Sequence, residues 1–295
     1  MGTLTTTSPP RQLTRRGFLK AGACGAAGLA VYAGEIERHQ LEISHYDLHL
    51  PGLAPEFEGY RLAQLSDIHI DEFTEPFFVR DAVEQINRLQ PDAVFLTGDF
   101  VTHQLAPKKF AEESAWQCAN ILNGLACRQR YAIFGNHDMM VGEGVVGTAL
   151  KDNRMTLLRN SYVPVERGGA RLWVAGLDDA LMGKPDAEAA VPAAIRNQRN
   201  EPVILLCHEP DYVDEVARQP AGQAVDLVLS GHTHGGQVRF PFLPPIQLPT
   251  LGQKYVEGWF QVGRMRLFVN RGLGTVGVPF RFDCPPEITL FTMRA

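Results

Sequence analysis

Five short apolar runs recur along this 295-residue chain, and each run leads directly into a small polar segment. The runs have the length of buried strands, and stretches with a helical pattern separate several of them. This alternation is typical of a sheet that carries helices on its outer faces. The predicted strands are residues 60–66, 93–97, 131–134, 203–207 and 225–230, and the predicted helices are residues 76–89, 107–125, 185–197 and 211–218.

The remaining segments extend the sheet prediction toward both ends of the chain. Residues 41–50 alternate apolar and polar side chains, as a half-buried strand does. Residues 255–262, 265–270 and 287–292 are predicted strands joined by Gly/Pro turns. The sequence shows no internal repeat and no linker after residue 40, so residues 34–295 are predicted to form a single domain.

The polar segments after the five runs contain residue types that bind metal ions. In an open α/β sheet, ligands bind beyond the carboxyl ends of the strands, so these segments are expected to converge. A mixture of carboxylate, amide and imidazole groups suits Mn, Fe or Zn, and the size of the set suits two ions that share one carboxylate. The candidates are Asp67, His69, Asp99, Asn136, His137, Asp138, His208, His232 and His234.

The spacing of these residues adds local expectations. Asp67 and His69 are two residues apart on a segment expected to be extended, so their side chains should leave the same face. A glycine precedes Asp99, Asn136 and His232, and we expect it to let the backbone turn sharply. Taken singly, each segment is weak evidence, because Gly-Asp is a common turn and a single histidine can simply end a strand. The case for a metal site depends on all five segments occurring in order.

The order Asp-x-His, Gly-Asp, Gly-Asn-His-Asp, His and Gly-His-x-His resembles the pattern of the calcineurin-like metallophosphoesterases, from about Leu62 to the end of the chain. Residues 65–69, 208–211, 230–237 and 271–274 are similar to the exported or membrane-associated phosphodiesterase branch of that family in bacteria. The resemblance implies an α/β fold, a four-layer α/β/β/α sandwich of two mixed β-sheets flanked by helices.

The resemblance also implies a dinuclear metal centre that hydrolyses phosphate esters. One divalent ion would be held by Asp67, His69 and His234, the other by Asn136, His208 and His232, with Asp99 bridging them. His137 would donate to a phosphate oxygen or protonate the leaving group, and Asp138 would orient it. Two ions that share a water lower its pKa, so that a bridging hydroxide attacks phosphorus in line.

Two departures from related subfamilies narrow the expected substrate. Residues 98–104 lack the last three residues of the Gly-Asp-x-Val-Asp-Arg-Gly motif of the protein Ser/Thr phosphatases. Thr102 stands where purple acid phosphatases have a metal-binding tyrosine. The prediction is therefore a phosphodiester or pyrophosphate substrate. Two alternatives stay open: a phosphomonoesterase, and a catalytically weak protein that uses the metal site to bind phosphorylated envelope components.

The N-terminal segment has the order of an export signal, with basic, apolar and small residues in turn. Arg15 and Arg16 precede Phe-Leu-Lys and a Gly/Ala-rich stretch at residues 21–33, and this resembles a twin-arginine signal peptide closely. We therefore predict a signal at residues 1–33, the twin-arginine export machinery as a partner, and a location in the periplasm or cell envelope. The formal net charge of −5 argues against a nucleic-acid partner.

Two apolar, proline-broken segments directly follow metal-binding segments, at residues 73–78 and 240–249. We predict that they form the rim of the site. An apolar rim would suit a lipid-linked substrate or contact with a membrane surface, whereas packing of the same side chains onto the sheet is the alternative. Cys118, Cys127, Cys207 and Cys284 follow no disulfide or metal-site spacing, and the sequence leaves one disulfide open.

Overall fold

The computed structural model describes residues 14–71, 73–103, 108–197 and 201–295, and two six-stranded sheets form its centre. Residues 1–13 of the predicted signal, residue 104 of the second motif and Pro107, where a helix is predicted to begin, lie outside the described residues. The helices are α1 (Arg15–Val31), α2 (Pro76–Leu89), α3 (Lys108–Leu122), α4 (Asn136–Asp152), α5 (Ala187–Ala190), α6 (Ala193–Arg196) and α7 (Val213–Ala217). The strands are β1 (Glu42–His49), β2 (Arg61–Leu65), β3 (Ala93–Leu96), β4 (Gln129–Ala132), β5 (Thr156–Leu157), β6 (Ser161–Arg167), β7 (Ala170–Gly176), β8 (Val203–Leu206), β9 (Leu227–Ser230), β10 (Gly258–Val262), β11 (Met265–Val269) and β12 (Glu287–Arg294).

The first sheet has the strand order β1-β12-β2-β3-β4-β5, and the second has the order β10-β11-β9-β8-β7-β6. Strands β2, β3, β4 and β5 run parallel to one another, whereas β12 pairs antiparallel with β2. In the second sheet β7, β8, β9 and β11 are parallel, and the edge strands β6 and β10 are antiparallel. Both sheets are therefore mixed, as predicted.

Three layers of apolar side chains hold the sheets and helices together. One layer lies between the two sheets and includes Phe95, Phe268 and Phe291. A second packs α2, α3 and α4 against the first sheet, and a third packs α5, α6 and α7 against the second sheet. Successive side chains of β3 point to opposite faces of the first sheet. Phe95 faces the other sheet, while Val94 and Leu96 face the helices, so one strand contributes to two layers. The predicted α/β/β/α sandwich is confirmed.

Most predicted elements are present, but three of the predicted helices need correction. Helix α2 has the predicted bounds, whereas α3 ends at Leu122 rather than at residue 125. The predicted single helix over residues 185–197 is wrong. Pro192 separates α5 from α6 there, because proline has no N–H to donate inside a helix. Residues 211–218 contain the end of a 3₁₀ turn, Pro210–Tyr212, and the short helix α7.

Helix α4 and strands β5, β6 and β7 have no counterpart among the predicted elements. Helix α4 is interrupted at Gly142, whose φ of 140° is not helical, so its apolar residues follow no single helical period. Strands β6 and β7 form an edge hairpin whose turn contains Gly168 and Gly169, both with positive φ. Helix α4 matters for the site, because Asn136, His137 and Asp138 form its first turn.

Helix α1 contributes no side chain to the three apolar layers. Its N-terminus is capped by Thr14, whose hydroxyl accepts a hydrogen bond from the N–H of Gly17 at 3.1 Å. None of the residues of α1 is buried. Within the described part of the chain, no helix combines the length and the apolar composition that crossing a membrane requires. The five cysteines are free thiols.

Candidate metal centre

The predicted metal-binding side chains converge where the inner strands end. Three groups each place one ligand atom per residue within 4.8 Å of one another. The groups are Asp67, His69 and His234; Asp99, His208 and His232; and His69, Asp99 and His137. Asn136 lines the same cavity as members of all three groups. The structure thus brings the seven predicted ligands and His137 into one place.

Hydrogen bonds between the strand ends hold this arrangement. The N–H of Asp67 donates to the carbonyl of Gly98, and the N–H of His69 donates to the carbonyl of Asp99, each at 3.0 Å. The N–H of His232 donates to the carboxylate of Asp67, at 2.9 Å and 3.0 Å from its two oxygens. Because Asp67 follows β2 and His232 follows β9, this last contact joins the two sheets at the centre.

Asp99 occupies the middle of the cluster. Its Oδ2 lies 3.4 Å from Nε2 of His69 and 3.2 Å from Nε2 of His208, which belong to different groups. Its Oδ1 accepts a hydrogen bond from the N–H of His137 at 2.8 Å. One carboxylate oxygen therefore faces two imidazoles, while the other oxygen fixes the orientation of the group.

Three of the histidines are oriented through the nitrogen that faces away from the cluster. Nδ1 of His69 lies 3.1 Å from the hydroxyl of Thr102. Nδ1 of His208 donates to the carbonyl of Thr97 at 2.7 Å, and Nε2 of His232 donates to the carbonyl of Thr250 at 2.8 Å. Such partners fix the ring and leave its other nitrogen for an ion. None of these three threonines was predicted from the sequence to contact a ligand. In the sequence, Thr102 is notable only because a tyrosine stands at this position in purple acid phosphatases. Thr250 lies in a loop that is distant in the chain from His232.

The residues present fit a divalent metal. Asn136 Oδ1 and His208 Nε2 are buried and make no hydrogen bond among the described residues. Buried polar atoms are normally satisfied, so unpartnered atoms in a cluster of ligand groups indicate a missing partner. The mixed oxygen and nitrogen donors are those that suit Mn, Zn or Fe. A divalent ion would supply the partner that these atoms lack.

Burial and neighbouring charges set the protonation of the centre. Burial works against the ionised form of Asp99, but the adjacent His208 and His137 outweigh it and hold the pKa of Asp99 well below its usual range. Burial lowers the pKa of both His232 and His137 to about 4, so both imidazoles are neutral near pH 7. A neutral imidazole has one lone pair for an ion and one N–H to donate.

The backbone of the ligands is in the left-handed region at five positions. Their φ angles are 48° for Asp67, 47° for His69, 54° for Asp99, 73° for His232 and 52° for His234. The expected extended segment between Asp67 and His69 is therefore wrong, although their side chains do meet. Non-glycine residues in this region cost roughly 1–3 kcal/mol each and persist where the surrounding structure imposes them. For Asp67 and His69, hydrogen bonds to the loop after β3 hold this conformation.

Two of the glycines have a role other than the predicted sharp turn. Gly98 does have a positive φ of 95°. Gly135, with a φ of −109°, and Gly231 lie outside the left-handed region. A Cβ at Gly231 would collide with Ser66 and with the Asp67 carboxylate, and one at Gly135 would collide with Asp99. These two glycines therefore permit close approach of neighbouring segments.

Replacing Gly231 with alanine is expected to lower activity at least about tenfold, as loss of a group that orients a metal ligand does. The added methyl group would push Asp67 away from His234 and so reduce metal content. Metal analysis and turnover of a phosphodiester measure both effects. Gly144→Ala in α4 is the matched control, since a Cβ there meets open space. Full metal content in Gly231→Ala would contradict this account of the close approach.

Asp138 has a different set of contacts from the predicted one. Its carboxylate accepts hydrogen bonds from the N–H groups of Asp99 at 2.8 Å, Phe100 at 2.9 Å and Gly135 at 2.9 Å. The group is fully buried. It therefore joins the loops after β3 and β4 and fixes the backbone that carries Asp99. The prediction that Asp138 orients His137 is wrong.

The ring of His137 is oriented by the main chain instead. The N–H of His103 donates to Nδ1 of His137 at 3.0 Å. Because Nδ1 accepts this bond, the neutral ring carries its single proton on Nε2 and can donate it in a hydrogen bond. His137 also contacts His69 edge to face, with ring centroids 4.8 Å apart, and it lines the cavity. Its Nε2–H is thus a hydrogen-bond donor beside the candidate ligands.

A cavity of about 850 Å³ opens from the metal cluster, within the range of small-molecule sites. Its far walls are apolar and come from three parts of the chain. They include Ala26, Leu29 and Ala30 of α1; Phe240, Ile246 and Pro249 of the segment after β9; and Val278, Phe280 and Phe282 of the loop before β12. Several residues of the metal cluster therefore line a cavity whose remaining lining is largely apolar.

The two predicted rim segments, residues 73–78 and 240–249, differ in their position relative to the cavity. Four residues of segment 240–249 line the cavity: Phe240, Ile246, Gln247 and Pro249. Segment 73–78 does not, since it forms the start of α2, buries Phe78 in the core and packs against Arg38 and His39. The prediction is therefore wrong for residues 73–78, where packing on the body of the protein, the alternative, is observed.

The chain is similar to known proteins of one family. Residues 60–236 match the family model described as calcineurin-like phosphoesterase. The chain is 34% identical to the uncharacterized metallophosphoesterase YkuE of Bacillus subtilis, over 97% of this chain and 99% of that protein. It is 29% identical to the phosphodiesterase YaeI of Escherichia coli, over 95% of this chain and 99% of that protein.

Two solved structures share the fold at low sequence identity. A dimetal phosphatase from Danio rerio aligns with a TM-score of 0.50 and 12% identity, over 77% of this chain and 94% of that chain. The NAD nucleotidase of Haemophilus influenzae aligns with a TM-score of 0.51 and 14% identity, over 72% of this chain and 45% of that chain. The chain thus spans less than half of the nucleotidase.

Proposed function

The chain belongs to the calcineurin-like phosphoesterase family, and we propose that it hydrolyses phosphodiester or pyrophosphate bonds at a centre of two divalent metal ions. One observation carries the proposal. Oδ2 of Asp99 faces His69 and His208, which belong to two different ligand clusters, at 3.4 Å and 3.2 Å. A carboxylate in that position can be shared by two ions. The cluster also opens into a cavity, whereas structural metal sites are usually closed.

The proposed ligand assignment follows the two clusters. Asp67, His69 and His234 would hold one ion, Asn136, His208 and His232 the other, and Asp99 both. When bound, two divalent ions of the Mn, Zn or Fe type supply an acidified water and stabilise charge on phosphate oxygens. The unpartnered Oδ1 of Asn136 supports its inclusion beside the charged ligands.

The residues around the ligands would position the substrate and handle protons. Nε2–H of His137 can donate to a phosphate oxygen or to the oxygen of the leaving group. The Asp138 carboxylate would keep Asp99 in place through its hydrogen bonds to the backbone. The apolar walls of the cavity would exclude water from the reaction and strengthen electrostatic contacts there.

The shape and lining of the cavity favour an amphiphilic substrate. A phosphodiester group would lie at the polar end, and an apolar substituent would lie against Phe240, Ile246 and Phe282. The lining is predominantly apolar, with few polar groups away from the metal cluster. We therefore propose a lipid-linked or other cell-envelope phosphodiester as the natural substrate.

Export by the twin-arginine route is part of the proposal, with the periplasm or cell envelope as the destination. The support is the paired arginines, Arg15 and Arg16, ahead of a short Gly/Ala-rich stretch. In addition, α1 contributes no buried side chain, so the layered body does not depend on it for its core.

Hydrolysis of bis-p-nitrophenyl phosphate with added Mn tests the proposed function. We expect turnover of this diester to exceed that of p-nitrophenyl phosphate, and a chelator to abolish both activities. A diacyl phosphodiester in mixed micelles should be turned over faster than either soluble compound. Faster turnover of the monoester would favour the phosphomonoesterase alternative. No turnover in a chain that contains metal would favour the binding-protein alternative.

A further inference from the structure

Large apolar side chains are exposed on a loop beside the mouth of the cavity. Phe242 is fully exposed, and Leu243 and Ile246 are 65% and 68% exposed. The N–H of Leu243 donates to the carbonyl of Phe240 at 3.1 Å and closes a turn that presents Phe242 at its tip. The φ of Phe242 is 69°, an uncommon conformation for a bulky residue. The backbone is thus strained in a turn that exposes an aromatic ring to solvent.

Helix α1 extends this apolar surface on the same cavity. Leu29 lines the cavity together with Ile246, and it is 51% exposed. Further exposed apolar side chains of α1 and the turn after it include Phe18, Val31 and Ile36. Contiguous exposed apolar surface on a folded protein marks an interaction site. We call α1 and residues 240–246 together the docking surface.

The charge of the docking surface indicates what covers it. Residues 240–249 contain no charged side chain, and α1 contains Arg15, Arg16 and Lys20 but no acidic residue. The whole chain, in contrast, carries a net charge of −5. An apolar segment with basic residues and no acidic ones matches the interface of a bilayer with anionic headgroups. Protruding side chains such as Phe242 can enter lipid without a complementary partner shape.

From these observations we propose that the docking surface binds a lipid bilayer with anionic headgroups, with the cavity mouth at the membrane interface. A folded protein on the same surface would cover the mouth of the cavity, whereas a bilayer there could supply an amphiphilic substrate to it. The orientation of the cavity mouth toward the bilayer rests on the proposed function, because only an enzyme with an amphiphilic substrate would use it. Binding to the bilayer itself depends only on the exposed side chains.

Sedimentation of the full chain with vesicles of phosphatidylethanolamine and phosphatidylglycerol tests this proposal. We expect the protein to sediment with these vesicles, less so in high salt or without phosphatidylglycerol. The double variant Phe242→Glu and Leu243→Glu should partition at least about tenfold more weakly, because two apolar side chains lose their burial in lipid. Phe110→Glu is the matched control, since Phe110 is exposed on α3 and does not line the cavity.

Each chain is also assayed with bis-p-nitrophenyl phosphate in the absence of vesicles. Neither Phe242 nor Leu243 lines the cavity, so all variants should hydrolyse this soluble diester equally. Equal sedimentation of the double variant and the unmodified chain, or no sedimentation of either, would overturn the proposal. A dimer in solution that the double variant converts to a monomer would assign the surface to a second copy and overturn it too. Lost diester hydrolysis with intact vesicle binding would instead refute the proposed function alone.

Discussion

Replacing Asp99 with asparagine is expected to lower phosphodiesterase activity more than about a hundredfold, exceeding the loss seen when a group that only orients a metal ligand is removed. Oδ2 of Asp99 faces His69 and His208 at 3.4 Å and 3.2 Å, so it is the group that two ions would share. Asparagine has the same shape but no charge, and its amide presents N–H groups to one side. It can therefore serve neither ion as a bridging carboxylate does.

The Asp99→Asn variant should still fold. Its Oδ1 can accept the N–H of His137 as before, and the backbone of residue 99 is held by Asp138. Metal content and steady-state turnover, measured on the same preparation, provide the readout. Asp81→Asn on the exposed side of α2 is the matched control for the change of charge. An Asp99→Asn chain with unchanged metal content and turnover would remove the basis for a shared carboxylate.

Replacing His137 with alanine is expected to lower kcat by roughly 10²–10³-fold, the range for loss of one preorganised hydrogen-bond donor to developing negative charge. The ring is neutral near pH 7, since burial lowers the pKa of His137 to about 4, and its proton is on Nε2. It can therefore donate to the substrate without serving as a ligand. We expect the metal content of His137→Ala to equal that of the unmodified chain.

The leaving group distinguishes the two roles proposed for His137. If the neutral His137 ring donates its Nε2–H in a hydrogen bond to the leaving oxygen, the loss should be larger for an alkyl ester than for a p-nitrophenyl ester, because the departing alkoxide carries more negative charge. If it donates only to a phosphate oxygen, the two losses should be equal. A fall in metal content would instead make His137 a ligand, as its grouping with His69 and Asp99 allows, and would contradict its assignment to the substrate.

The convergence of the site follows from features that a sequence displays directly. Short apolar runs predict β2, β3, β4, β8 and β9, and parallel strands end at the same edge of their sheet. Within the first sheet this explains why the loops that carry Asp67 and Asp99 meet, whereas His232 follows a strand of the second sheet and reaches Asp67 because the two sheets pack together. The four layers were predicted in a different way, from the resemblance of the ordered motifs to a family whose fold is known.

The orientation of the ligand side chains could not be predicted from the sequence, because it depends on contacts between segments that are distant in the chain. The positive φ of Asp67 and of His69 is imposed by bonds to the loop after β3. The role of Asp138 depends on the amides of Asp99 and Phe100, which lie 39 and 38 residues away in the chain. In the motif Asn136-His137-Asp138, the adjacent positions suggest that the carboxylate of Asp138 orients the ring of His137. Here Asp138 acts instead on the preceding loop.

The secondary structure that was missed has a similar explanation. Helix α4 contains Gly142, where the helix is interrupted, so its two halves have different apolar faces. Strands β6 and β7 pair as a hairpin at the edge of the second sheet, and their exposed residues weaken the alternation that marks a strand. In both cases tertiary packing stabilises an element that its local pattern does not specify.

The number of divalent ions per chain tests the central claim most directly. The full chain, purified without chelator and analysed by elemental mass spectrometry, should contain two ions of the Mn, Zn or Fe type. Their removal should abolish hydrolysis of bis-p-nitrophenyl phosphate, and addition of Mn should restore it. A chain that hydrolyses this diester at its full rate with one ion or none would contradict the account.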